Sequence, residues 1–119
     1  MARLHSGTRV TIFLPANDVD ESAAASRAVT HVHARYGGCT VSSLEPPVFT
    51  GYWFDASNDW LYIDQVIQLI LDLEQESGDP ALSGSLSHLK EMVRDEYSAA
   101  GSEQLEIWVV MQSIARIAE

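Results

Sequence analysis

Cysteine is almost absent from this sequence: Cys39 is the only one among 119 residues. One thiol can neither form an intrachain disulfide nor supply the thiolate cluster of a structural zinc site. A chain without a disulfide framework is typical of a reducing compartment, so we expect a cytoplasmic protein. We interpret Cys39, which follows Gly37 and Gly38, as a small buried hydrophobic residue rather than a reactive thiol.

Basic residues are also scarce. Seven Lys and Arg stand against 17 Asp and Glu, which gives a formal net charge of -10. This charge repels phosphate backbones and anionic lipid headgroups at long range, so we expect neither nucleic acid nor a membrane as a partner. An acidic exterior instead favours a basic protein partner, and its extreme form is an inhibitor that mimics the charge of nucleic acid.

Long apolar stretches are missing as well. No window approaches the ~20 apolar residues that cross a bilayer, and the N-terminus lacks the apolar segment of a secretory signal, so we expect neither an anchor nor export. The hydrophobic share of 46% and the charged share of 20% are those of an ordinary globular chain. We expect residues 1–119 to form a single domain around one core.

Hydrophobic periodicity predicts six elements. Alternation predicts strands near 8–14, 48–54, 61–73 and 104–111, and spacings of three and four predict helices near 21–36 and 81–100. Gly37 can end the first helix, and Asp79 followed by Pro80 can begin the second. Pro46 and Pro47 predict that the second strand is bent or broken.

The element order β-α-β-β-α-β matches the split βαβ arrangement. It predicts an α+β, ferredoxin-like fold, in which a four-stranded antiparallel sheet carries two helices on one face. The sequence also resembles small uncharacterised bacterial proteins of this fold, in Arg9-Val-Thr-Ile-Phe, Gly-Gly-Cys-Thr-Val, Gly-Tyr-Trp-Phe and a Glu-Tyr helix end. The resemblance implies the fold and an oligomer, and it carries over no functional residues.

The sequence contains few polar side chains in patterns typical of catalysis or metal binding. There is no Gly-rich phosphate loop, nucleophile elbow or His-Glu-x-x-His motif, so we expect no metal and no cofactor and assign no catalytic residue. His31 and His33 point about 200° apart on a helix and cannot grip one ion together. His31 shares a helix face with Arg27 and Arg35, which we interpret as a solvated stripe rather than an anion site. Asp64 and His33 are the weak polar candidates, Asp64 because it interrupts an apolar run.

The turn predicted between the second and third strands is rich in oxygen ligands and aromatic rings. Asp55, Asn58 and Asp59 lack the spacing of a calcium loop, so we interpret them as a hydrogen-bonded turn. Six aromatic residues surround it: Phe49, Tyr52, Trp53, Phe54, Trp60 and Tyr62. They can pair across the hairpin, anchor a protein interface or line a small-molecule pocket, and we expect Trp53 or Trp60 to serve in a contact or a pocket rim.

The sheet face without helices is the other candidate surface. Alternation assigns several apolar residues to it, which are Phe13, Val66, Ile70, Trp108 and Val110, together with Thr11. An apolar sheet face left open to water usually marks a partner surface, and a symmetric homodimer is its commonest form.

Two classes of function follow from these features. The first is an oligomerising or protein-binding domain without catalytic activity of its own. The second is a small-molecule-binding enzyme of the dimeric α/β-barrel type, like the antibiotic-biosynthesis and haem-degrading monooxygenases. A cavity containing His33, Asp64 or Trp108 would favour the enzyme, whereas a filled core with an open apolar face would favour the binding domain.

Overall fold

The computed structural model describes residues 3–42, 49–57, 60–101 and 107–118. The elements in chain order are β1 (Arg3–Pro15), α1 (Val19–Tyr36), β2 (Thr40–Val41), β3 (Phe49–Asp55), β4 (Trp60–Leu73), α2 (Pro80–Ala99) and β5 (Val109–Ala118). All strand pairs are antiparallel. β4 lies between β1 and the pair β2 and β3, and β5 lies on the far side of β1. This order confirms the predicted α+β, ferredoxin-like fold.

The predicted second strand is broken into β2 and β3, which pair with the same neighbour, β4. Thr40 lies opposite Ile70, and Phe49 lies opposite Val66. The register with β4 differs between the two segments. Pro46 and Pro47 fall between them, outside the described residues. The break explains why five strands are counted where four were predicted.

The two strands at the ends of the chain differ from the prediction. β1 begins at Arg3 instead of near residue 8, and β5 runs from Val109 to Ala118 instead of over 104–111. Residues 3–7 and 114–118 form an antiparallel ribbon with each other. These segments mix small, polar and charged residues with few apolar ones, so their sequence has no apolar alternation that would predict a strand. Their strand structure comes from mutual backbone pairing. Residues 104–106 of the predicted last strand lie outside the described residues.

Side chains at the helix ends satisfy backbone groups as the sequence predicts. The Asp18 carboxylate accepts a hydrogen bond from the Glu21 N–H at 2.8 Å, which caps α1. Gly37 ends α1 in the left-handed region with φ of 85°, where a side chain would be strained. The Asp79 carboxylate caps α2 by accepting from the Ala81 N–H at 2.9 Å.

The hydrophobic core lies between the sheet and the two helices. Buried residues from the sheet include Val10, Ile12, Leu14, Ile67, Leu69 and Leu71, and those from the helices include Ala24, Ala25, Ala28, Val32, Leu89, Val93 and Tyr97. The small alanine side chains of α1 allow its backbone to pack close to the sheet. In the described part of the chain, no helix is long and apolar enough to cross a membrane.

Tyr97 is the polar contact at the centre of this core. Its hydroxyl donates to the Pro15 carbonyl at 2.6 Å, and only 1% of the residue is exposed. Burial, and then the charge of Glu21, raises the Tyr97 pKa above its usual range, so the phenol stays neutral and donates. The bond ties the C-terminal end of α2 to the end of β1.

We expect Tyr97→Phe to lower the free energy of unfolding by about 1–3 kcal/mol, because it leaves a buried carbonyl without its donor. Urea denaturation followed by circular dichroism measures this. The matched control is Tyr36→Phe, which removes a half-buried bond of 3.1 Å to the Ser85 carbonyl. Equal losses in the two variants would contradict the role assigned to Tyr97.

Candidate functional site

The sheet face opposite the helices, called here the helix-free face, brings together residues from three strands. Thr11 lies directly between Ile70 and Val110. The Phe13 N–H donates to the Trp108 carbonyl at 3.0 Å, so these two residues are also opposite each other. Residues directly opposite in an antiparallel sheet point to the same face. The register therefore groups Phe13, Ile70, Trp108 and Val110 on the helix-free face.

These side chains differ in how much surface they expose. Trp108 is 49% exposed and Val110 is 44% exposed. Phe13 and Ile70 are half-buried. Val66, assigned to the same face by its parity, is only 4% exposed and is already buried within the chain. The accessible apolar surface of this group thus lies toward β5, and Phe49 on β3, which is opposite Val66, is a further apolar residue on this face with 38% exposure.

The charged groups next to this apolar surface are paired with one another. Arg9 donates two hydrogen bonds to the Asp72 carboxylate, at 2.8 and 3.0 Å. The bond from Arg9 holds the pKa of Asp72 below its usual range. Arg116 on β5 donates to Glu74 at 2.9 Å. Although the chain is strongly acidic, carboxylates beside the helix-free face are thus partly neutralised by neighbouring guanidinium groups.

β3 and the first part of β4 form a hairpin that projects beyond the rest of the sheet. In β4, residues 60–64 pair with β3, whereas pairing with β1 begins at Val66. The long strand contributes to the 53 Å extent of the molecule, against 29 and 25 Å in the other directions. An isolated two-stranded ribbon is marginally stable in water, and this hairpin is instead continuous with the larger sheet through β4.

One face of the hairpin is apolar and exposed. Tyr52 lies opposite Ile63, and Leu61 has the same parity. All three residues are more than half exposed. Leu61 and Ile63 have the same strand parity as the buried core residue Ile67, but they lie beyond the part of that face which the helices cover. The core face therefore continues past the helices as a solvent-exposed surface.

The aromatic candidates on this hairpin are placed by their backbones alone. Trp53 lies opposite Tyr62, and Asp55 lies opposite Trp60. The side chains of Trp53 and Trp60, and residues Asn58 and Asp59, lie outside what the structure describes. The contact or pocket rim expected from Trp53 or Trp60 stays a prediction, as does the turn role of Asp55 and Asp59.

Asp64, the first of the weak polar candidates, binds an amide that also holds the start of α1. The Asn17 side-chain amide donates to Asp64 at 3.0 Å and to Glu21 at 2.9 Å, and its oxygen accepts from the Gln65 N–H at 2.8 Å. Glu21 also accepts from the Asn17 backbone N–H at 3.0 Å. This network clamps α1 onto β4. The sequence analysis did not identify Asn17, because its partners on β4 are 47 and 48 residues away along the chain.

His33, the other weak polar candidate, is not brought to Asp64. It is exposed near the end of α1, fourteen residues after Val19. At about 1.5 Å per residue, that separation is roughly 20 Å along the helix axis. Since Asp64 is bonded to Asn17 at the opposite end of α1, the two groups do not share an acid-base site.

The predicted basic stripe on α1 joins the two helices. Arg27 Nε lies 2.7 Å from one oxygen of Glu96 on α2, and His31 Nε2 lies 3.2 Å from the other. The Glu96 side chain is only 14% exposed. Arg27 and His31 are exposed, as expected of a solvated stripe, and both also contact a carboxylate of the same chain.

A shallow groove of about 570 Å³ lies where the N-terminal half of α2 approaches β5. Its lining combines serines and apolar side chains such as Leu82, Leu86 and Met111 with two charged residues, Asp79 and Lys90. None of His33, Asp64 and Trp108 lines it. The groove therefore lacks the residues on which the enzyme hypothesis depends.

Neither metal nor thiol chemistry is apparent in the described residues. Over 3–42, 49–57, 60–101 and 107–118, no group of three His, Cys, Asp or Glu side chains could hold a metal ion. Cys39 is partly buried against the core, and this burial raises the pKa of its thiol. A raised pKa disfavours the reactive thiolate.

Comparisons with known proteins show similarity to solved structures, but not to family models or curated proteins. No family model matches the chain, and no curated protein matches it. A nitrogen regulatory PII-like protein from Thiomonas intermedia, solved with ADP, AMP and bicarbonate, is 12% identical. The alignment covers 96% of each chain with a TM-score of 0.47.

We expect Asn17→Ala to lower the free energy of unfolding by about 1–3 kcal/mol, because it removes a donor from the buried Glu21 carboxylate. Asp64→Ala is the matched control. It deletes only the bond between Asn17 and the half-buried Asp64 carboxylate, and it leaves the Asn17–Glu21 bonds in place. Urea denaturation of both variants measures the difference. A larger loss in Asp64→Ala would contradict the clamp described above.

Proposed function

We propose that this chain is a small, cytoplasmic protein-binding domain without catalytic activity, which forms a homodimer through the helix-free face. The observation that carries the proposal is the accessible apolar cluster of Phe13, Ile70, Trp108 and Val110 on a sheet face opposite both helices. Such a cluster on a sheet is the kind of surface that a second copy covers, and a two-fold axis would pair the same residues with one another.

The pairing of charged side chains beside the helix-free face reduces the repulsion between two copies that meet there. Two copies of net charge -10 repel each other at long range. The proposed contact is compatible with that repulsion because Asp72 and Glu74 are already paired with Arg9 and Arg116. An interface of standard size buries roughly 800 Å² per partner. Burial of its apolar part must offset the association cost of about 4–15 kcal/mol.

The projecting hairpin supports binding of a second kind of partner. Tyr52, Leu61 and Ile63 offer an apolar surface, and the Asp64 carboxylate lies nearby on the same strand. With an acidic chain around it, this surface suits a basic protein. In this proposal the binding of the partner depends on the aromatic residues of the hairpin, Trp53 and Trp60 among them.

We expect Trp108→Glu to halve the mass of the assembly while leaving the fold intact, because it places charges of the same sign on both sides of the contact. Multi-angle light scattering measures the mass, and circular dichroism checks the fold. Val19→Glu is the control, since it adds the same charge at a position that is 84% exposed on α1. A monomeric wild-type protein, or equal effects of the two variants, would overturn the proposed dimer.

The hairpin turn is expected to shape the partner surface without binding a cation. Titration of the wild-type protein with calcium or magnesium chloride should release no stoichiometric heat in a calorimeter. The double variant Asp55→Ala/Asp59→Ala should behave in the same way. Stoichiometric binding that this double variant loses would make the turn a cation site and contradict the proposal.

A further inference from the structure

β5 forms an edge of the sheet with an open row of backbone groups. It pairs with β1 from Val109 to Ala118, and no other described strand pairs with it. The Phe13 N–H donates to the Trp108 carbonyl directly opposite, so this is a hydrogen-bonded pair. Since bonding direction alternates along an antiparallel strand, even-numbered residues of β5 turn their backbone groups toward β1. The odd-numbered residues turn theirs outward.

The same alternation applies across the neighbouring strands, which supports the assignment. The Ala16 N–H donates to the Gln65 carbonyl, so even-numbered residues at that end of β1 face β4 while odd-numbered ones such as Phe13 face β5. The outward N–H and C=O groups of β5 therefore belong to Val109, Met111, Ser113, Ala115 and Ile117.

This edge lacks the usual protections against strand addition. Over Val109–Ala118 there is no proline, no Asp and no Glu, and the only charged residue, Arg116, is bonded to Glu74. Val109 and Met111 are about half exposed and Ile117 is 75% exposed. Long, apolar edge strands of this kind pair readily with another strand unless charge, proline or a bulge prevents it.

We propose that β5 pairs antiparallel with β5 of a second copy, around a two-fold axis at Ser113. In this register every outward backbone group of one copy meets an outward group of the other. Val109 lies opposite Ile117 of the second copy, and Met111 lies opposite Ala115 of the second copy. The two five-stranded sheets then join edge to edge as one continuous sheet.

Charge selects a second copy as the occupant. The chain carries a net charge of -10, so two copies repel each other least where they meet through a surface without unpaired carboxylates. β5 is such a surface, and its single cation causes no clash, because the proposed register places Arg116 opposite Val110 and keeps the two Arg116 residues apart. The opposite edge of the sheet is less suitable, since β3 contains Asp55 and continues into the acidic hairpin turn.

This edge contact is independent of the contact proposed for the helix-free face. It rests on backbone groups and on the odd-numbered side chains of β5, which face the helix side of the sheet. The helix-free face contributes even-numbered residues such as Val110. One chain could use both contacts, and the experiment below is designed so that either can fail alone.

Disulfide trapping tests the proposed register. In a Cys39→Ser background, Val110→Cys is mixed with Arg116→Cys under mild oxidation. These positions form a non-hydrogen-bonded pair across the axis, where Cα atoms lie about 4.5 Å apart, within the range that a disulfide spans. We expect a disulfide that joins position 110 of one copy to position 116 of the other, identified by peptide mass spectrometry. No 110–116 disulfide would overturn the proposal.

Proline at the axis provides the second measurement. Ser113→Pro removes an outward N–H and is tolerated on an edge strand, whereas Ser113→Ala keeps that N–H. We expect Ser113→Pro to lower the yield of the 110–116 disulfide at least tenfold and Ser113→Ala to leave it unchanged. Repeating the two Ser113 measurements in a Trp108→Glu background separates the two contacts. In that background we expect the 110–116 disulfide to form even though the helix-free face no longer associates. Equal yields in the two Ser113 variants would overturn the proposal.

Discussion

The fold depends on one long strand whose alternation continues past the helices that cover it. β4 pairs with β1 over residues 66–73 and with β2 and β3 along its other edge. Ile67 and Leu69 are fully buried beneath the helices, but Ile63 has the same parity and is more than half exposed. A single side-chain pattern therefore makes the core at one end of the strand and an accessible apolar surface at the other.

Polar contacts fix where this strand meets the helices. The Asn17 amide joins Glu21 at the start of α1 to Asp64 on β4, and the Tyr97 hydroxyl joins α2 to the end of β1. Each partner is a group that would otherwise be left partly or fully buried without a hydrogen bond. These side chains hold neighbouring elements together, and Asp64 takes part in this through its bond with Asn17.

The sequence predicts those elements whose own residues show a local pattern, such as apolar alternation or a helix cap. The apolar alternation of β4 and the caps at Asp79 and Gly37 are local, so both were predictable. The first residues of β1 and the last of β5 are strands only because they pair with each other across more than one hundred residues. Long-range partners also explain the Arg27–Glu96 contact: a helical spacing shows that Arg27 and His31 share a face, but not that a carboxylate of another helix lies against it.

The distribution of charge separates the surfaces that two copies can share from those they cannot. Nearly all of the excess acidity lies outside β5, and the carboxylates nearest the helix-free face are bonded to Arg9 and Arg116. Repulsion between copies is therefore smallest at the open edge and at the helix-free face, and it is larger at the hairpin, where Asp55 and Asp64 lie on adjacent strands. The same excess of acid that opposes self-association elsewhere favours a basic protein at the exposed apolar face of the hairpin, so the self-contact and the partner binding proposed above would use different parts of one sheet.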